Sequence, residues 1–532
     1  MDISLYTYKN GRMLLKKDNI LMFIPVALFL ILTISSAVFS IYLLYLAGYA
    51  HSVSITALAV VFLMLSILSG FFNIFTAYSY YRSQLYSRYL RSIQRTLKPL
   101  AKFPSVAIVM PVYNEDPATV KKNIVRLKEM DYPKEKMHIY LLDDSTKVKT
   151  AEELRAFSKA NGIEYMHRKS RSGYKAGALN NFIKTAKEEY LAIFDYDEYL
   201  TDVSFLKELL PYFAIKNLSY VQTEKSYSKG TFFSETINLF DAFFFNFVQP
   251  SRALNNTAIF AGSCGIINVN AIKKIGGFPE YVIEDTFFSF ESDIHKYKSL
   301  YVPKIYALGK PIKTFTELAR QQWRYNYGDT QFLHYFFKKR ASNKSVKLSA
   351  LQNIDYLTHG SGMNYISVVL VLFTLVSVLI VFATATAPLT ALNMTLLFKS
   401  SSIPATIEAL GIMAFIVSLI APVLLIKLQF KSIRKGIMVL FLNFALAITR
   451  TKAAIAALMP NTPSSLWVRG FVSNGTRVTN ALKSSFSEIT FASILFMLSI
   501  FAMFINNFSG AIWLFWYSIL YFSTFAFFYK YG

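Results

Sequence analysis

Long stretches without charge flank a middle section in which polar and apolar residues are mixed. Ile20–Ala47, Ser52–Tyr81 and Met363–Phe398 carry no charged side chain, Ile403–Ile426 carries only Glu408, and Ile489–Tyr529 is again uncharged. A helix needs about 20 apolar residues to cross a bilayer core. The runs therefore predict membrane helices at about 20–47, 52–81, 363–387, 403–427, 489–507 and 510–529, the last two parted by Asn506-Asn507-Phe508-Ser509-Gly510. Gly436–Thr449, between Lys435 and Arg450, is marginal in length for a span, and the residues leave open whether it crosses. It predicts an interfacial or re-entrant segment within about 434–487.

Three regions follow: membrane helices and a basic linker in 1–100, a globular domain in 101–347, and a second membrane region in 348–532. In the globular part, Val106–Val112 is a continuous apolar run, the pattern of a strand buried on both faces. Asp116-Pro117 supplies an N-cap and a first-turn proline for a helix carrying Val120, Ile124 and Leu127 on one face. Asp131-Tyr132-Pro133 stops it, and His138–Leu142 reads as the next strand. Helices at about 151–161 and within 173–187 lead to a strand at Tyr190–Phe194. The order β-α-β-α-α-β predicts a doubly wound α/β sheet, in which ligands bind beyond the carboxyl ends of the strands. Glu115, Asp143, Asp144, Asp195 and Asp197 fall at those ends.

Charge sets the orientation. Lys9, Arg12, Lys16 and Lys17 precede the first span, and Arg82, Arg88, Arg91, Arg95, Lys98 and Lys102 follow the second, while Gly48–His51 has no Lys or Arg. The positive-inside rule places the N-terminus and the middle domain in the cytoplasm. The first apolar run is long and lacks a small-residue cleavage site, so it reads as a retained helix. With 54% hydrophobic and 16% aromatic residues, the composition is that of a membrane protein. The net charge of +24 sits mostly beside membrane segments, where it meets anionic lipid, and no zinc-finger spacing or RNA-binding aromatic motif points to nucleic acid. The single cysteine, Cys264, excludes an intrachain disulfide and reads as a small buried residue.

Asp195-Tyr196-Asp197 places two carboxylates just past a buried strand. Hard oxygen ligands of this kind suit Mg²⁺ or Mn²⁺ held together with a substrate's phosphates.

The series Pro111-Val112-Tyr113-Asn114-Glu115, Leu141-Leu142-Asp143-Asp144-Ser145, Lys175-Ala176-Gly177-Ala178-Leu179-Asn180 and Asp195-Tyr196-Asp197 resembles the family 2 glycosyltransferases. Phe260-Ala261-Gly262-Ser263, Gly276-Gly277-Phe278, Ile283-Glu284-Asp285 and Gln321-Gln322-Trp323-Arg324-Tyr325 extend the resemblance to the membrane-embedded cellulose, mannan and hyaluronan synthases. Asn443, Arg450 and Lys452 lie in a stretch loosely similar to mannan synthases. The resemblance implies a GT-A domain, a UDP- or GDP-hexose donor, inversion at the anomeric carbon and a polysaccharide or lipid-linked acceptor. It implies Asp285 as catalytic base, and Asp195 and Asp197 as ligands of Mn²⁺ or Mg²⁺. Pro111, Tyr113, Glu115, Asp143, Asp144, Lys175, Asp195 and Arg324 are then donor-binding residues, with Arg168 and Arg171 near the phosphates. Gly262, Ser263, Glu284, Gln321 and Tyr325 are acceptor-binding residues. Two departures stand out: Tyr325 replaces the usual tryptophan, which shifts the expectation towards a shorter product, and Ala261 stands where a cysteine is frequent. Ser485–Gly532 is nearly all membrane segment, so no carboxy-terminal regulatory barrel is expected there. Phe332–Arg340, aromatic and then basic, predicts an interfacial helix. The implied location is the plasma membrane, multi-pass, with the catalytic domain cytoplasmic. The competing class is a transporter with a nucleotide-sensing domain, disfavoured by the scarcity of intramembrane charge.

Overall fold

The computed structural model describes residues 6–9, 12–15, 53–342, 348–358, 361–386, 431–459, 476–505 and 508–532, with isolated positions in 27–38 and 423–430. The expected spans at 20–47 and 403–427 lie largely outside the described residues. The chain divides into two compact units, Ser79–Lys313 with Tyr327–Gly360, and Met1–Tyr78 with Thr314–Asn326 and Ser361–Gly532.

The first of these holds a mixed sheet. A short hairpin in the other unit, β1 (Tyr6–Lys9) and β2 (Arg12–Leu15), precedes it in the chain. The sheet strands are β3 (Val106–Val112), β4 (Met137–Asp143), β5 (Glu164–His167), β6 (Tyr190–Ile193), β7 (Tyr199–Leu200), β8 (Leu218–Tyr227), β9 (Gly265–Asn268) and β10 (Lys298–Gly309). Their spatial order is β5-β4-β3-β6-β9-β8-β10-β7. The β5-β4-β3-β6 half is parallel, β9 runs antiparallel to β6 and β8, and β10 pairs parallel with β8. The expected α/β sheet, doubly wound and mixed, is present.

Burial on both faces explains the continuous apolar runs. Val106, Ile108 and Met110 of β3 enter one core, and Ala107 and Val109 enter the other. Helix Pro117–Leu127 starts as expected: the Asp116 carboxylate accepts from the backbone amides of Ala118 and Thr119, and Val120, Ile124 and Leu127 are buried. The expected order omits one strand. β5 lies between the two helices read as consecutive, at the edge of the sheet, where Glu164 and His167 face solvent. An edge strand needs no apolar run, so the hydrophobic pattern does not announce it.

In the other unit, helices Ile433–Leu458, Phe486–Phe504 and Gly510–Tyr531 are long and apolar enough to cross a membrane. Of the expected turn at 506–510, Asn506 and Asn507 lie outside the described residues, and Phe508-Ser509-Gly510 begin helix Phe508–Tyr531. Helix Val53–Thr96 carries the 52–81 run, and helix Ser361–Thr386 the run near 363–387. The segment 436–449 is part of a single helix of 26 residues. Arg450 continues it: its buried guanidinium donates to Gln322 Oε1 at 3.0 Å, Ser367 Oγ at 3.0 Å and Asn443 Oδ1 at 3.3 Å. Polar partners thus let a charged residue extend an apolar helix.

Candidate active site

β6 ends centrally in the sheet, and the chain turns at Asp195. Glu198 Oε2 accepts from the Asp195 backbone amide at 2.8 Å, and Asn123 Nδ2 donates to the Tyr196 carbonyl at 2.7 Å, which fixes the turn. Lys175 enters from the first turn of helix Tyr174–Thr185. Its ammonium lies 2.5 Å from Asp195 Oδ1 and donates to the Gly262 carbonyl at 3.1 Å. Ser263 Oγ is 2.8 Å from Asp195 Oδ2 and 2.7 Å from Glu198 Oε1.

Asp285 sits in the first turn of helix Glu284–Ile294. Ser289, one turn on, donates to the Asp285 carbonyl at 2.7 Å and accepts from the Phe260 amide at 2.8 Å, so this helix and the Phe260–Ser263 loop are held together. Gly262 has φ +80°, and a Cβ there would lie 3.1 Å from Asp285 Oδ2 and 3.7 Å from Lys175 Nζ. The glycine thus allows the carboxylate and the ammonium to approach the same loop. Asn180 exchanges two hydrogen bonds with the Phe278 backbone, at 2.7 and 2.8 Å, joining the Lys175–Asn180 helix to the Gly276-Gly277-Phe278 turn.

Electrostatics separate the two aspartates. Burial opposes ionisation of Asp195, but Lys175 and Lys225 outweigh it and hold the carboxyl well below the usual range. Burial, with the charges of Asp195 and Glu198, pushes Asp197 up to about 6. Burial also acts against the Lys175 charge, yet Asp195 and Glu284 keep its pKa raised. Among the described residues no group of three or more His, Cys, Asp or Glu side chains is arranged to hold a metal ion. The fit to Mn²⁺ or Mg²⁺ rests on two carboxylates plus substrate phosphates, a set these ions accept. Burial first, and then the charges of Asp195 and Glu198, raise Asp197, and such an ion would offset the charge contribution.

The donor-side residues form a second group. Asp143 is fully buried, accepting from Tyr165 Oη at 2.6 Å and the Ser145 amide at 2.8 Å. Asp144 receives the Arg168 guanidinium through Nε, at 2.8 Å, and Nη2. Pro111 and Val112 end β3 beside Leu142 and Asp143. The Glu115 carboxylate accepts from the Tyr113 amide, and Arg171 stacks 3.3 Å from the Tyr113 ring centre. A cavity of about 410 Å³ opens here, lined by Asp144, Arg155, His167, Arg168, Lys169 and Arg171 among others. Gln321, Arg324 and Tyr325 lie on helix Phe315–Ser342, in its Thr314–Asn326 portion, which belongs to the other unit. Cys264 is buried at the start of β9, as expected.

A family model, Glycosyl transferase family 2, matches residues 107–276, the span that holds this constellation. The chain carries a family 2 glycosyltransferase domain. The chain is 30% identical over 239 residues to the cellulose synthase catalytic subunit [UDP-forming] of Pseudomonas fluorescens, a match covering 43% of this chain and 32% of that protein. It is 29% identical over 246 residues to a probable glucomannan 4-beta-mannosyltransferase of Oryza sativa, covering 43% of this chain and 41% of the relative. The family 2 domain thus matches less than half the length of either relative. A solved mannosyltransferase from Pyrobaculum calidifontis, in complex with GDP-Man and Mn²⁺, aligns over 73% of this chain and 97% of its own at 16% identity and TM-score 0.47.

Two functional candidates in the family 2 domain escape the motifs. Lys225 on β8 reaches Ser263 Oγ at 2.6 Å, Glu198 Oε1 at 3.1 Å and Asp195 Oδ2 at 3.4 Å. Glu198 shares those contacts. Glu198 is signalled only by its spacing of three from Asp195; Lys225 lies within β8, outside every motif that carries the resemblance.

Proposed function

We propose that the protein is an inverting, metal-dependent hexosyltransferase of the plasma membrane, drawing on a cytoplasmic UDP- or GDP-hexose and serving a polysaccharide or lipid-linked acceptor. The carrying observation is the convergence of Lys175, Asp195 and Asp285 on the Gly262–Ser263 loop. Asp285 accepts the proton of the acceptor hydroxyl as its oxygen bonds to the sugar C1. The bond from C1 to the phosphate oxygen breaks on the opposite side, which inverts C1. Lys175 faces the negative charge that develops on the departing diphosphate. Asp195 and Asp197 would hold a divalent cation, which would supply further neutralisation of that charge. The basic cavity beside Asp144 is assigned to the nucleotide, with Pro111, Tyr113 and Glu115 at its edge; Asp143, enclosed, keeps the turn in shape. Gly262, Ser263, Glu284, Gln321 and Tyr325 are assigned to the acceptor side, and Arg324 to the diphosphate. The reading sets the reaction at the lipid surface, with six expected spans and the catalytic domain on the cytoplasmic side.

Asp285→Asn in the full-length protein tests the assignment. Loss of sugar transfer by about 10²-fold or more is expected for removal of a general base. Normal turnover in the variant rejects Asp285 as the base, whereas absence of sugar transfer from the wild type with every donor favours a transporter with a nucleotide-sensing domain.

A further inference from the structure

The Asp195 carboxylate meets an ammonium group on each oxygen: Lys175 lies 2.5 Å from Oδ1, and Lys225 lies 3.4 Å from Oδ2. Lys225 is the less expected of the two. It projects from β8 into a set of acceptors, 2.6 Å from Ser263 Oγ and 3.1 Å from Glu198 Oε1. Ser263 bridges Asp195 and Glu198, so both carboxylates and the hydroxyl share one cation. Asp195, Asp197 and Glu198 thus surround the two ammoniums, and Glu284 adds its charge beside Lys175.

A divalent ion bound to Asp195 needs an oxygen at about 2.0–2.2 Å with a lone pair free to face it. A lysine already stands on each Asp195 oxygen, and the Ser263 hydroxyl is a second partner of Oδ2, so a bare ion competes with them. The two ammoniums would also repel a bare divalent ion. A nucleoside diphosphate changes both conditions: its oxygens complete the ion's coordination and offer the displaced ammoniums new anionic partners.

We propose that Lys225 is a built-in counter-cation of the Asp195 carboxylate, so that a divalent ion enters this site together with the nucleoside diphosphate rather than ahead of it. Lys225 then turns to the diphosphate. The inference rests on the glycosyltransferase reading and adds an order of binding and a residue to it.

Mn²⁺ binding to the purified full-length protein, read from the electron paramagnetic resonance signal of free Mn²⁺, tests this without turnover. Wild type should bind Mn²⁺ at least about tenfold more tightly with saturating UDP or GDP than without. Lys225→Gln should raise the nucleotide-free affinity by about tenfold, the scale on which groups around metal ligands act, and shrink the nucleotide effect. Lys225→Arg, which keeps the charge, should stay close to wild type, and matched melting curves confirm that both variants fold. If Lys225→Gln gains no nucleotide-free affinity, or wild type already binds Mn²⁺ tightly alone, the proposal is overturned while the enzyme reading stands. If no variant binds Mn²⁺ with either nucleotide, the metal-dependent reading falls with it.

Discussion

Gly262→Ala probes the closest approach in the site. The glycine has φ +80°, in the left-handed region, where a side chain costs about 1–2 kcal/mol. The new Cβ would also stand 3.1 Å from Asp285 Oδ2, a tight contact, and 3.7 Å from Lys175 Nζ. The carboxylate must therefore give by some tenths of an ångström. Misplacement of a reacting group by about 1 Å costs about 10²-fold in rate, so a smaller shift should lower kcat by about tenfold. Nucleoside diphosphate release measures kcat, and thermal unfolding in detergent measures the backbone cost. Gly162→Ala is the control: its φ is +61°, and nothing lies within 4 Å of the added Cβ. It should lose similar stability and keep normal turnover. Equal turnover in the two variants would refute the placement of Asp285 at the reacting centre.

Other consequences are independent of that contact. Burial pushes the Glu224 carboxyl from its ordinary 4.5 up to about 7. The folded state holds this proton more tightly than the unfolded chain, so the resulting stability is complete below about pH 4.5 and is lost as pH rises through 7, by at most about 3 kcal/mol. Glu224→Gln should keep its melting temperature between pH 5 and 8 better than wild type; parallel declines would count against it. Arg252 is fully buried, donates to the Asp355 and Thr257 carbonyls and sits beside the Asp355 carboxylate. Removing the cation in Arg252→Met should cost about 3 kcal/mol or more, and an unchanged melting curve would contradict this. Tyr325→Trp should lengthen the product by offering the sugar a larger stacking face; an unaltered length distribution on gels would dismiss that role.

Elements buried on both faces were the legible ones. β3, β4 and β6 read as apolar runs because alternate residues enter opposite cores, and the carboxylates at their ends mark the site side of the sheet. β5 hid because an edge strand carries Glu164 and His167 outward. The full length of helix Ile433–Leu458 hid because Arg450 ends the hydrophobic run, although Gln322, Ser367 and Asn443 receive its charge. Lys225 could not be found from spacing: its part in the site depends on β8 lying beside β9, a pairing between residues 220 and 267 that local pattern does not encode.

Nucleotide-sugar turnover bears most directly on the central reading. Purified full-length protein, supplied with lipid and each of several UDP- and GDP-hexoses, is assayed for nucleoside diphosphate release with Mn²⁺, with Mg²⁺ and with chelator. The account predicts rapid release from at least one donor, dependent on a divalent ion and abolished in Asp195→Asn. Absence of release from every donor, or release indifferent to both the ion and Asp195, would contradict it.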